Sequence, residues 1–130
     1  MNHRILICDD EPDIVLALGM KFRNAGFEVQ TARHGQEAWE SILTNPPDVV
    51  ITDWTMPRMN GLDLCRRIRS IPEHRDLPIF LLTGRGVEPE SYGSLAELEI
   101  TRVILKPFSP RDLFADVETA LGIPPDSAVA

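Results

Sequence analysis

No stretch of this 130-residue chain strings together enough apolar residues to span a bilayer, which excludes a helical membrane protein. Cysteine is nearly absent. Cys8 and Cys65 could close one bridge at most, and each sits in an apolar segment where a free thiol behaves as a small hydrophobe. Both are expected to be reduced, as in a cytoplasmic protein. No apolar signal region or small-residue cleavage site is seen at the start, where Met1-Asn2-His3-Arg4 lead directly into a strand-like run, an expectation against secretion. Positive charge is in short supply: 13 Lys and Arg face 20 Asp and Glu, for a formal net charge of -7. A phosphate backbone would repel such a chain, so direct DNA or RNA binding is disfavoured. Lysine is scarcest of all, with only Lys21 and Lys106 beside 11 arginines. A lysine in an arginine-using chain marks a position with its own requirement.

An apolar fraction of 43% and a charged fraction of 25% fit one globular domain and exclude disordered or collagen-like classes. There is no internal repeat and no low-complexity segment. Short apolar runs alternate instead with helical patterns, the sign of an α/β fold. Ile5–Cys8, Val49–Ile51, Ile79–Leu82 and Val103–Leu105 are continuously apolar, as strands covered on both faces must be, whereas Phe27–Gln30 alternates and suits an edge strand. Ile14, Leu18 and Phe22 share a helical face between Pro12 and Gly26. Ala38 and Ile42 mark a second helix stopped by Pro46-Pro47, and Leu62, Cys65 and Ile68 mark a third. Residues 88–99 should hold a short fourth helix, weakened by Pro89 and Gly93. Ser109-Pro110-Arg111-Asp112 is a capping box ahead of Leu113, Val117 and Leu121. Five strands with right-handed crossovers give a doubly wound sheet whose ligands sit beyond the carboxyl ends of the strands. The expected domain is 1–122, with 123–130 a tail or the start of a linker.

Chemistry gathers at those strand ends: Asp9 and Asp10 after the first, Asp53 after the third, Thr83 at the end of the fourth and Lys106 at the end of the fifth. Packed carboxylates repel unless a cation joins them, and a small all-oxygen ligand set suits a Mg²⁺ that keeps several waters. Lys106 adds a fixed positive charge and Thr83 a hydroxyl donor, which together could hold a tetrahedral oxyanion over Asp53. That is equipment for phosphoryl transfer.

Four segments in this order and spacing, Cys8-Asp9-Asp10-Glu11, Asp53 through Gly61, Leu82-Thr83-Gly84 and Lys106-Pro107-Phe108, resemble the receiver domain of the bacterial response-regulator family over roughly residues 3–121. The resemblance implies a flavodoxin-like α/β fold with a five-stranded parallel sheet in the order 2-1-3-4-5 and five helices. It implies that Asp53 is the phosphoacceptor, taking a phosphoryl group from the phosphohistidine of a sensor histidine kinase or histidine phosphotransfer protein. Asp10, Asp53 and the backbone carbonyl of Thr55 would hold Mg²⁺, for which Mn²⁺ can substitute, and Asp9 would act through a metal-bound water. Lys106 would pair with Asp53 at rest and with the phosphoryl group afterwards. A cis Lys106–Pro107 peptide is implied as well. Such a protein is a signalling phosphoacceptor rather than an enzyme with a separate substrate, working with an output partner that the sequence does not name.

Two departures from the family pattern stand out. Receivers usually carry Tyr or Phe three residues before the Lys, where this chain has Val103, and Glu97-Leu98-Glu99 replaces a small-residue turn. Signal output is therefore expected to run through the weak fourth helix and its flanking loop. Thr55 and Arg85, each two residues beyond a site residue, can orient no hydrolytic water, so self-dephosphorylation should be slow.

Plainer readings compete with these. Asp9 or Asp10 taken singly is a helix cap ahead of Pro12. Thr83-Gly84-Arg85-Gly86 lacks the lysine of a nucleotide-binding loop, Trp54 reads as packing, and Cys8 as buried filler. His3, His34, His74 and the Arg66, Arg67, Arg69 cluster read as solvated surface. The alternative function is a receiver-like protein-binding module that works without phosphorylation. A flavodoxin-type cofactor binder fits less well, as does a haloacid-dehalogenase-type phosphatase, which needs a second Asp where Thr55 stands.

Overall fold

The structure is a computed structural model that describes residues 3–124. The expectations for residues 1–2 and for 125–130 of the tail lie outside it. β1 (Arg4–Cys8), β2 (Glu28–Ala32), β3 (Val49–Asp53), β4 (Ile79–Thr83) and β5 (Arg102–Leu105) form one parallel sheet in the order β2-β1-β3-β4-β5. Five helices alternate with them: α1 (Pro12–Asn24), α2 (Gly35–Thr44), α3 (Gly61–Arg69), α4 (Tyr92–Glu97) and α5 (Pro110–Ala120).

Alternate residues of each inner strand feed opposite sides of the sheet. Leu6 and Cys8 of β1, Val50 of β3 and Ile79 and Leu81 of β4 join Ala38, Ile42, Leu64, Cys65 and Ile68 under α2 and α3. Ile5, Ile7, Val49, Ile51, Phe80 and Leu82 turn the other way, onto Leu18 and Phe22 of α1 and Leu113, Phe114 and Val117 of α5. A side chain of this size contributes roughly 1.5–3 kcal/mol when fully buried. Runs without polar interruption are thus what a sheet sandwiched between two helical layers demands.

Local chemistry fixes the helix starts. Asn60 accepts from Asp63 N at 2.9 Å, His34 Nδ1 from Glu37 N at 3.2 Å, and Ser109 from Asp112 N at 3.2 Å, one of the two bonds of the expected box. His34 is therefore a cap rather than a solvated residue, and His3 lies against the Phe27 ring. Phe27 itself falls outside β2 and packs with Phe22 and Phe114. α4 is six residues long, behind a single 3₁₀ turn at Pro89–Ser91, in line with its two helix-weakening residues.

β5 departs from the expectation of a strand covered on both faces. The sheet order puts it at an edge, and short α4 covers it incompletely, leaving Leu105 58% exposed. Arg69 also departs from the solvated reading. Its guanidinium donates to the carbonyls of Leu98 (2.8 Å), Glu99 (3.2 Å) and His74 (2.7 Å), so that α3 is tied to the end of α4. Of its neighbours, Arg66 pairs with Asp63 and Arg67 lies over the Trp39 ring.

Candidate functional site

A parallel sheet sends every strand out at the same end, and the residues that follow meet there. Asp53 is the last residue of β3, Thr83 the last of β4, while Asp9, Asp10 and Lys106 come just after their strands. They line or adjoin a shallow cavity of about 650 Å³ with Glu11, Trp54, Thr55 and Arg85 on its walls. The backbone around Asp53 is closely braced. Trp54 N donates to Leu82 O at 2.8 Å, and Gly61 N returns to Trp54 O at 2.8 Å. A Cβ on Gly61 would meet the Asp53 carbonyl oxygen at 2.2 Å, so only glycine allows α3 to begin this close to the end of β3.

Asp9, Asp10 and Asp53 offer carboxylate oxygens that all lie within 4.8 Å of one another, with Asp9 and Asp53 buried and Asp10 exposed. Lys106 Nζ faces this cluster at 3.0 Å from Asp9 Oδ2 and 3.4 Å from Asp53 Oδ1. One amine does not neutralise three acids. Burial, followed by the charge of Asp9, raises the Asp53 carboxyl to about 6, and burial raises Asp9 as well. Burial opposes the charge on Lys106, but the acids around it outweigh that effect and hold its pKa above the usual range. Asp9 Oδ2 is close to Lys106 yet accepts no aligned hydrogen bond, although it is wholly buried. An unsatisfied buried carboxylate oxygen beside two further carboxylates fits a hard divalent cation that takes few protein ligands and keeps several waters.

The Thr83 hydroxyl is engaged elsewhere. It donates to Arg85 O at 2.6 Å and accepts from Arg85 N at 3.2 Å, closing a tight turn at the end of β4. Thr55 and Arg85 are exposed on the cavity wall, whereas Val103 is half-buried in β5 and packs on the α2–α3 side of the core. Neither Asp9 nor Asp10 caps α1. The residue before that helix is Glu11, whose side chain makes no capping bond, while Asp9 Oδ1 accepts from Glu11 N at 2.9 Å. The Lys106–Pro107 peptide is cis. Trp54 packs beside the site, and the Cys8 thiol, raised to about 12 by burial, donates to Met56 Sδ at 3.2 Å beneath the loop that carries Thr55.

Sequence reasoning missed two contacts. Glu11 reaches Lys106 Nζ at 3.4 Å, and adjacency to Asp10 was the only available signal. The partners of Arg69 include backbone carbonyls 29 and 30 residues away, for which a sequence carries no signal.

Known proteins bear on this arrangement. A family model described as the response regulator receiver domain matches residues 5–118. Among relatives, the chain is 38% identical over 121 residues to the phosphate regulon transcriptional regulatory protein PhoB of Rhizobium meliloti, covering 93% of this chain and 53% of that protein. It is 36% identical to the chemotaxis protein CheY1 of Helicobacter pylori, covering 92% of this chain and 97% of that one. The chain thus spans about half of one relative and nearly all of the other. Among solved structures, the chemotaxis response regulator CheY4 of Vibrio cholerae aligns with a TM-score of 0.83 at 28% identity, covering 92% of this chain and 99% of that chain. By family match, relatives and fold alike, this chain belongs to the response regulator receiver domains of two-component signalling.

Proposed function

We propose that residues 1–122 act as a phosphoacceptor module in which Asp53 takes a phosphoryl group from a phosphohistidine of a sensor histidine kinase or histidine phosphotransfer protein. The observation that carries this reading is the placement of Lys106 Nζ 3.4 Å from Asp53 Oδ1, inside a cluster of carboxylates that includes the unsatisfied Asp9 Oδ2. In the transfer, a carboxylate oxygen of Asp53 forms a bond to phosphorus as the bond from phosphorus to the donor imidazole breaks. The electron pair of that bond stays on the imidazole nitrogen. Asp53 needs no separate base, because it reacts as the ionised carboxylate.

Asp10, Asp53 and the Thr55 carbonyl would hold Mg²⁺, or Mn²⁺ in its place, with Asp9 behind a coordinated water. The ion would supply charge neutralisation at the transferring oxygens, which such transfer requires more than covalent help. Lys106, in reach of both Asp9 and Asp53, would face the same oxygens. To serve as a donor there, the Thr83 hydroxyl has to leave Arg85, drawing on the loop ahead of α4. Thr55 and Arg85 flank the site without an acid or carboxamide that could orient water, so the acyl phosphate should persist. A Thr55→Asn variant should lose its phosphoryl group faster than the unsubstituted chain, as followed by intact mass against time.

The deciding experiment is intact mass after incubation with acetyl phosphate and Mg²⁺, beside Asp53→Ala and an EDTA sample. One phosphoryl increment that vanishes in both controls supports the reading. No increment, with an active receiver run in parallel, favours a binding module that signals without phosphorylation. The observation on that side is Val103, which gives β5 no aromatic ring to turn inward.

A further inference from the structure

Three carboxylates lie near the Lys106 ammonium, and one of them belongs to neither the cation cluster nor the acceptor. Glu11 Oε2 lies 3.4 Å from Nζ, as far away as Asp53 Oδ1, and it accepts a hydrogen bond from the amine. Glu11 occupies the residue before the first turn of α1, from which an acidic side chain can cap the helix, yet its carboxylate accepts no N–H of that helix. Its backbone N–H is held instead by Asp9 Oδ1 at 2.9 Å, which ties the residue to the buried acid at the bottom of the site. Its side chain is 58% exposed, that of Lys106 only 15%. The lysine is thus shared between the buried acids and a more exposed one, whose side chain has no other polar partner among the described residues.

We propose that Glu11 is a positioning residue for phosphoryl transfer, holding the Lys106 ammonium in competition with the incoming phosphoryl group. The proposal rests on the reading of Asp53 as acceptor. Bond making and breaking are the same with or without Glu11: the Asp53 oxygen bonds to phosphorus, the donor's bond to phosphorus breaks, and Lys106 keeps its protons throughout. What Glu11 changes is the charge available to the phosphoryl oxygens, since Lys106 must give up one ion pair to face them. An ion pair with one member largely in water is weak, so the effect is about two- to five-fold.

The chain carries only two lysines, and the other, Lys21, lies over the Phe114 ring, so a lysine-labelled sample gives two amine signals. The test compares Glu11→Gln, Glu11→Asp and Asp13→Asn with the unsubstituted protein. Glu11→Asp keeps the charge but shortens the reach by one methylene. Asp13→Asn removes an exposed charge two residues further on that pairs with nothing among the described residues. Folding is not at risk at position 11, where no side-chain cap is lost. Two quantities are read: the Lys106 Nζ resonance in metal-free protein, and the rate of phosphorylation by acetyl phosphate with Mg²⁺.

The expected result is a shifted Lys106 signal and a two- to five-fold faster rate in both Glu11 variants, with neither change in Asp13→Asn. A Lys106 signal that stays in place in Glu11→Gln overturns the proposal. So does a Glu11→Asp rate equal to that of the unsubstituted protein, because the effect would then be general repulsion of an anionic donor. If the unsubstituted chain takes up no phosphoryl group at all, the reading of Asp53 falls, and this proposal with it. A phosphorylated chain whose Glu11 variants behave like it overturns the positioning role alone.

Discussion

Buried carboxylates resist ionisation, and Asp53 pays that penalty at the place where its charge is needed. Its folded-state pKa of about 6 lies above the ordinary 3.8. The ionised group therefore costs stability in full above about pH 6, and the cost fades as pH falls towards 3.8. In EDTA at pH 7.5, Asp53→Asn should be more stable than the unsubstituted chain by on the order of 1–3 kcal/mol, and the gain should shrink at pH 4.5. Urea unfolding at the two pH values checks this. Mg²⁺ at pH 7.5 should stabilise the unsubstituted chain and reduce or reverse the difference, because the ion binds the ionised carboxylates of the native state. Equal stability of the two proteins in EDTA at pH 7.5 would mean that Asp53 is better solvated than its surroundings suggest. The positions of Asp9, Asp10, Asp53 and Lys106 were legible because each follows or ends an apolar run, and parallel strands bring such ends together. The engagement of Thr83 with Arg85 was not, since a hydroxyl's partner depends on a side-chain rotation that spacing does not encode.

At the level of elements, α4 is held less by its own turns than by Arg69. Six residues make too few internal bonds to persist alone, and the helix ends at Glu97, followed by Leu98 and by Glu99 at a φ of 51°. The guanidinium reaches both of those carbonyls while spanning back to His74. Arg69→Met keeps much of the apolar stem and removes every donor. It should cost about 2 kcal/mol in urea unfolding, the order of a charged hydrogen-bond donor lost from partly buried acceptors. Amide hydrogen exchange across residues 92–101 should accelerate more than exchange in β1 or β3. Uniform acceleration would instead mark a general loss of stability. The shortness of α4 could be read from Pro89 and Gly93, as could the cap of α5 from Ser109, whereas the Asn60 cap of α3 emerged only with the structure. The clamp could not, because a backbone carbonyl looks the same in every sequence.

Across the whole molecule, the formal charge of -7 opposes the approach of any anionic donor. Salt shortens the reach of that repulsion, with a Debye length of about 30 Å at 0.01 M and about 10 Å at 0.1 M. Phosphorylation by acetyl phosphate at fixed Mg²⁺ should therefore speed up, by about two-fold, between 0.02 and 0.2 M salt. A fall over the same range would show that Lys106 and the bound ion, rather than the net charge, govern the encounter. The α/β class and the two-sided core were evident from the alternation of apolar runs with helical patterns. The full strand order came only with the family resemblance, since five parallel strands can be arranged in more than one way.

β5 closes one side of the sheet with Arg102-Val103-Ile104-Leu105, and among the described residues no further strand lies outward of it. A short apolar segment with unpaired backbone groups is a template on which a second chain can stack, and its protection here is a single cation, Arg102, paired with Asp116 at 3.1 Å. Arg102→Val would leave four apolar residues in a row. Light scattering at mild urea concentrations should then show self-association in the variant under conditions that leave the parent clear, so the arginine's contribution is to solubility more than to fold.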